Sequence, residues 1–354
     1  LYANVYEAKG GDVIGRNIFG LLTDFKHDPI IEIDKAIIIQ NSSSNGMLSL
    51  KDTEDEDRVQ DFLISSFYEE NSGIGTIYIT KTKLENNQIK AIDTQPVDLG
   101  LVDGIYKPSN GFKTSWNTYL FSQNGLIDSK NSKEFINNYK KYFKNKSNKV
   151  NPYKYGWGFE TIILNTKGDA KVINHYSLGR TFASNILVMP DNKTVYTYDK
   201  QNSKNLYLFV ANTANDFSKG NLYVAKKQES SISWVKLGKN SALRLKMKMK
   251  KDIEFKDIFK SKKPKDDSCV RGYSFTDTVY GKECLKVNKK FKKYAGTFEP
   301  VRYAAIKGVN GFMDVTTFGL NDKRDMLNFK LDGSIKQSYS FVDDEKLNSN
   351  YIIK

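Results

Sequence analysis

Between residues 30 and 237 the chain returns repeatedly to short stretches rich in Ile, Val, Tyr and Thr. Such stretches are 30–40, 75–84, 160–166, 172–177, 194–198, 206–211, 222–226 and 232–237. Gly, Asn, Asp and Lys lie between them, which is the turn chemistry of antiparallel hairpins. Within 193–226 the pattern recurs as Lys-Thr-Val-Tyr, Lys-Asn-Leu-Tyr and Gly-Asn-Leu-Tyr, the cadence of a meander. Repeated meanders lead to a propeller or a large sandwich. We therefore expect an all-β fold, a β-propeller with a few inserted surface helices. It would form one domain over 1–354, with insertions at 125–151 and 252–297.

Helical spacing is sparse. Lys133 to Lys146 sets Phe135, Ile136, Tyr139, Tyr142 and Phe143 on one side and Lys on the other, and predicts a surface helix followed by an Asn/Lys-rich linker to Asn151. Residues 260–267, around Pro264, read as a loop. From 243 to 250 apolar and cationic residues alternate: Leu243, Leu245, Met247 and Met249 against Arg244, Lys246, Lys248 and Lys250. On a strand this gives one apolar face and one cationic face.

Composition narrows the chemistry. Of 354 residues two are His and two are Cys, so zinc fingers, iron–sulfur clusters and H-E-x-x-H proteases are excluded. Metal binding would rest on carboxylates and carbonyls, the ligands of calcium or magnesium. With 21 Tyr and 21 Phe the chain carries ample surface to bury. No apolar run, 36–39 among them, is long enough to span a membrane, so no transmembrane segment is expected. The opening Leu1-Tyr2, without Met or an apolar leader, reads as a processed or trimmed product.

Gly73-Ile74-Gly75 and Gly156-Trp157-Gly158 lack the third glycine of a dinucleotide site, and no P-loop or G-x-S-x-G occurs. His27 falls in a turn and His175 in a strand, and both read as structural. The acidic run 52–57 lacks the Gly and distant Glu of an EF-hand and reads as a solvated loop. The cationic face at 244–250 and the Lys-rich 286–293 either grip an anionic polymer or membrane surface or keep an edge strand soluble. Nucleic acid is disfavoured, because stacking aromatics are scarce there. Cys269 and Cys284 have fourteen residues between them, too far apart for a C-x-x-C site. They are a disulfide or two buried thiols; we expect the disulfide, stabilising by roughly 3 kcal/mol, and with it an exported protein.

An ordered string of motifs resembles the PhoX-type alkaline phosphatase family, bacterial proteins carrying the domain of unknown function 839. It begins with Gly11-Asp12-Val13-Ile14-Gly15 and Gly20-Leu21-Leu22-Thr23-Asp24. Thr114-Ser115-Trp116-Asn117-Thr118-Tyr119-Leu120, Tyr155-Gly156-Trp157 and His175-Tyr176-Ser177-Leu178-Gly179-Arg180 follow. Val188 to Tyr196, Leu208 to Ala211, Gly220 to Lys226, Glu283 to Val287 and Arg302-Tyr303-Ala304-Ala305 complete it, over roughly residues 10–320. The resemblance implies a propeller, export to the periplasm, and phosphate-ester hydrolysis at a calcium and iron cluster held by carboxylates and a cysteine.

This chain departs from the family at those ligands. Two adjacent glutamates are replaced by Gln123 and Asn124, and the cysteine by Ser109. A further glutamate falls at Ser184 or Asn185, an Asp-Asp pair becomes Asp199-Lys200, and the late Glu-Gly motif falls near Thr317. The resemblance with these losses implies a catalytically inactive module, a scaffold or binding protein with partners in the cell envelope and no cofactor. One alternative is a divergent calcium- and iron-dependent phosphatase or phosphodiesterase using Asp199 and Asp314 as metal ligands, with Arg180 or Arg302 holding phosphate. Arginine suits that contact, although an arginine in a strand also commonly closes a structural ion pair. The other alternative is an anionic-polymer-binding protein.

Overall fold

A computed structural model describes residues 40–52, 59–68, 72–85, 88–140, 150–189, 191–199, 202–227 and 231–311, with strand segments 318–320, 326–329, 335–341 and 352–353. The protein is mostly β, with 48% of its residues in strands and 18% in helices. Among the described residues the strands form four sheets, antiparallel but for one parallel pairing, and the chain divides into two compact units.

The first unit comprises 1–125 and 159–174. In it β1 (Gln40–Lys51), β2 (Val59–Tyr68), β3 (Ile74–Glu85) and β4 (Gln88–Pro96) pair in sequence order, and the short β5 (Ile105–Tyr106) pairs with the start of β3. A second sheet runs through β6 (Pro108–Lys113), β7 (Tyr119–Gln123), β8 (Gly158–Ile163) and β9 (Ala170–His175). Two-residue periodicity places Phe62 and Ile64 of β2 with Ile77 and Ile79 of β3 in one core. Phe121 and Phe159 join that core as cross-strand partners, their rings stacked at 5.1 Å.

The second unit comprises 126–158 and 175–354. It opens with helix α1 (Lys133–Lys140), the first part of the helix predicted to 146; residues 141–146 and the linker that follows to 149 lie outside the described residues. The predicted meander is present as β10 (Asn185–Val188), β11 (Thr194–Tyr198), β12 (Leu206–Thr213), β13 (Asp216–Lys227) and β14 (Ser231–Ser241), each antiparallel to the next. Asp191 shapes the first hairpin by accepting the Lys193 and Thr194 N–H groups, both at 2.9 Å, beside Asn192 at φ 55°.

Helix α2 (Ala242–Met249) follows directly, and corrects the strand expected at 243–250. Ala, Leu, Arg, Lys and Met are strong helix formers, and the segment holds no β-branched residue to favour a strand. The single cationic face at Arg244, Lys246, Lys248 and Lys250 is accordingly split between two sides of a helix.

Next come α3 (Phe255–Ile258), β15 (Phe259–Lys262), β16 (Ser274–Thr278), β17 (Gly281–Val287), α4 (Ala295–Phe298) and α5 (Pro300–Ile306). Strand β17 lies between β15 and β16, so the loop expected from 260 instead begins after Lys262. Strands β18 (Phe318–Leu320), β19 (Met326–Phe329), β20 (Ile335–Phe341) and β21 (Ile352–Ile353) extend the meander sheet through a parallel β14–β20 pairing. Trp157, Leu245, Phe255, Ile258, Leu285 and Phe298 pack in one core of this unit. No helix among the described residues is long and apolar enough to cross a membrane.

Candidate functional site

The residues at the resembling ligand positions fall in both units. In the first, Ser109 faces Ser122 and Pro108 faces Gln123 across β6 and β7, so Ser109 and Gln123 share one end of that ladder. Gln123 Oε1 accepts the Tyr106 N–H at 2.8 Å, and Asn124 Oδ1 accepts the Gly125 N–H at 2.8 Å. These neutral side chains serve the local backbone. Burial pushes the Tyr106 hydroxyl up to about 12, and nearby Tyr68 adds to the shift.

The Thr114 to Leu120 motif forms the β6–β7 turn and runs into β7. Thr114 and Asn117 close it through backbone bonds, and Asn117 takes φ 61°, a conformation Asn tolerates. Thr114 and Thr118 join hydroxyls at 2.7 Å. Trp116 Nε1 donates to Glu160 Oε1 at 2.7 Å, and the Thr118 hydroxyl donates to the same oxygen. Glu160 is buried, so these donors compensate its removal from water.

In the second unit Ser184 and Asp199 come together at the end of the β10–β11 pair, where the Ser184 N–H donates to the Tyr198 carbonyl at 2.8 Å. Asp199 is fully buried. Its Oδ1 accepts from Asn202 N at 3.0 Å and Asn202 Nδ2 at 3.2 Å. Its Oδ2 accepts from Ser203 N at 2.7 Å and Ser203 Oγ at 2.9 Å. The carboxylate thus holds its own turn. His175 ends β9 with its ring edge-on to Phe217 at 5.4 Å. His27, Lys200, Asp314, Thr317 and the acidic residues 53–57 lie outside the described residues.

The largest concentration of buried charge gathers around the two candidate phosphate-holding arginines. Arg302 lies on helix α5, begun by Pro300 at its first position; it is not on a strand. Its Nε donates to Glu283 Oε2 at 2.6 Å, its Nη1 to Glu299 Oε2 at 3.1 Å and its Nη2 to Asp128 Oδ1 at 2.8 Å. The Tyr280 ring lies 3.8 Å from the guanidinium and the Phe255 ring 4.8 Å away. Arg180 lies in the loop beyond the short 3-10 turn Tyr176–Leu178. It donates Nε to the Tyr155 carbonyl at 2.9 Å and Nη2 to the Pro152 carbonyl at 3.0 Å. Its Nη1 is 3.8 Å from Glu299 Oε1, which also accepts the Tyr153 hydroxyl at 2.8 Å.

Gly156, at φ +91°, lets the Tyr155–Trp157 segment pass close against the Phe182 ring, which lies 4.5 Å from the Arg180 guanidinium. Lys130 Nζ completes the cluster at 2.8 Å from Glu283 Oε1. Three cations and three carboxylates therefore balance inside one unit.

Electrostatics follows the geometry. Burial opposes ionisation of Asp128, yet the charge and hydrogen bond of Arg302, with the Lys130 N–H and Asn131, hold its carboxyl below the usual value. Burial likewise opposes the charge on Arg302, but Glu299, Tyr280 and Glu283 keep it charged, above the usual guanidinium value. Burial and then Glu299 raise the Tyr153 hydroxyl far above its ordinary range. A cleft of about 560 Å³ opens beside the cluster, with Lys130, Tyr153, Glu254 and Phe255 in its walls. Among the described residues no group of three or more His, Cys, Asp and Glu is placed to hold a metal ion.

Asp128, Lys130, Glu283 and Glu299 were not apparent as functional residues in the sequence. Only the Glu299–Arg302 pair had a local signal, an i,i+3 spacing astride a Pro-initiated helix. Cys269 and Cys284 form a disulfide with Cα atoms 5.6 Å apart, and Cys284 lies buried on β17 next to Glu283. No protein-family model matches the chain, and no curated protein matches it.

Proposed function

We propose that this chain is a non-catalytic, exported binding or scaffold module of PhoX-type ancestry, a propeller framework whose phosphatase site has been dismantled and whose partners lie in the cell envelope. The observation that carries this reading is the state of Asp199, the described acid at the resembling ligand positions. Both of its oxygens are engaged by Asn202 and Ser203. A metal ligand in phosphoryl transfer must instead direct its oxygens at the ion. The arginines support the same reading. Arg302 is bound by three carboxylates and Arg180 by backbone carbonyls, so neither offers the open fork that clamps a phosphate.

The test is metal analysis of the purified protein, together with a phosphomonoesterase assay in which calcium and iron are supplied. Substoichiometric metal and absence of turnover are expected. Stoichiometric metal with turnover that Asp199→Ala abolishes would replace this reading with the divergent phosphatase.

A further inference from the structure

Helix α2 presents two large apolar side chains to solvent one turn apart, Leu243 at 68% and Met247 at 52% exposure. Successive helical residues are about 100° apart, so Leu245 and Met249 point inward while Leu243 and Met247 share the opposite, outward side. Leu245 is fully buried, as that geometry requires. The cations then fall on both flanks of the apolar ridge. Arg244 and Lys248 lie on one side; Lys246, and Lys250 just past the helix end, lie on the other.

A second cationic segment adjoins the first. Lys248 Nζ lies 5.2 Å from the Phe291 ring and 5.4 Å from the Tyr294 ring, which brings α2 beside the turn carrying Lys289, Lys290, Lys292 and Lys293. Those four lysines are exposed. Among the described residues, no carboxylate is within ion-pair distance of any of these cations. Asp252 is the acid nearest in sequence to α2, and it leaves the surface strongly positive.

We infer that this face docks on an anionic lipid surface, with Leu243 and Met247 entering the interfacial zone and the flanking cations meeting lipid phosphates. An apolar ridge between two cationic flanks is the arrangement an interfacial helix uses. A soluble polyanion is gripped by charge and gains nothing from exposed Leu and Met. Single-stranded nucleic acid would need open aromatic faces, whereas Phe291 is buried and Lys248 covers Tyr294. The inference holds whether or not the chain hydrolyses phosphate esters.

The test is cosedimentation of the full chain with vesicles of phosphatidylcholine alone or mixed with phosphatidylglycerol, beside retention on heparin. Binding is expected on the anionic vesicles only, and it should fall as salt is raised. Joint charge reversal by Lys246→Glu, Lys250→Glu, Lys290→Glu and Lys293→Glu should weaken it at least about tenfold. Leu243→Ser with Met247→Ser should weaken vesicle binding severalfold and leave heparin retention unchanged. All six positions are exposed, and a melting curve checks that each variant folds. Equal binding to neutral vesicles, indifference to charge reversal, or vesicle binding unaffected by the two serines would each overturn the inference. The last result would indicate a polyanion grip.

Discussion

Arg302 Nε stands 2.6 Å from Glu283 Oε2, with both side chains almost wholly removed from water. Such a pair adds little net stability over an apolar replacement, because desolvation offsets most of the attraction. What it does is make its members interdependent. Glu283 comes from β17, Glu299 from the residue before α5, and Asp128 from the loop ahead of α1, so one guanidinium ties three distant segments together.

Removing one partner is therefore expected to cost more than the pair contributes. Glu299→Ala strips Arg302 of a hydrogen bond, Arg180 of its carboxylate and the Tyr153 hydroxyl of its acceptor. A loss of about 3–5 kcal/mol is expected from leaving buried charge uncompensated. Urea denaturation measures it. A loss below about 1 kcal/mol would be the value of an exposed pair, and would mean that water reaches the cluster.

Asp128 makes the cluster acid-sensitive. Its carboxyl is held below the usual value in the folded chain, so the folded state favours the ionised form. This contribution is fully present above the unfolded-state value of about 3.9 and is lost as pH falls through the lower, folded-state value. Asp128→Asn should be less stable than the parent at neutral pH, and the gap should close in acid. Urea midpoints at neutral pH and at about pH 3 decide the point, and a constant gap would remove Asp128 from the linkage.

Much of the β framework was legible in the sequence, because the Val-, Tyr- and Leu-rich composition of Thr194–Tyr198 and Leu206–Thr213 and the turn residues between such stretches are local patterns. Segment 243–250 was misread because period-two alternation competed there with strong helix propensity, and propensity prevailed. Helix α4 went unseen, since Ala-Gly-Thr-Phe shows no helical period in so short an element. The charge cluster was the least legible part. Asp128 and Arg302 lie 174 residues apart, and no periodicity in either segment points to the other. Arg180 and Arg302 stood out as arginines; their partners could be identified only in three dimensions.

The disulfide should contribute measurably to stability. Cys269 and Cys284 are 15 positions apart in the sequence, and closing such a loop is worth about 3 kcal/mol. Replacing both cysteines by serine should lower the melting temperature, and adding reductant to the parent should lower it comparably. A melting curve indifferent to reductant would show that the bond is not formed in solution.

Asp199 separates a structural carboxylate from a metal ligand. Four donors from Asn202 and Ser203 converge on it, so Asp199→Ala leaves a tight turn with buried N–H groups unpaired. A loss of about 1–3 kcal/mol is expected. If the carboxylate held calcium, the ion would stabilise the parent by mass action, and the variant would lose that increment. A carboxylate confined to its turn gives no such increment, so the difference between parent and variant should be the same in calcium as in chelator. Thermal melts of both proteins under the two conditions measure this. A gap that widens with calcium concentration would assign Asp199 to a metal site.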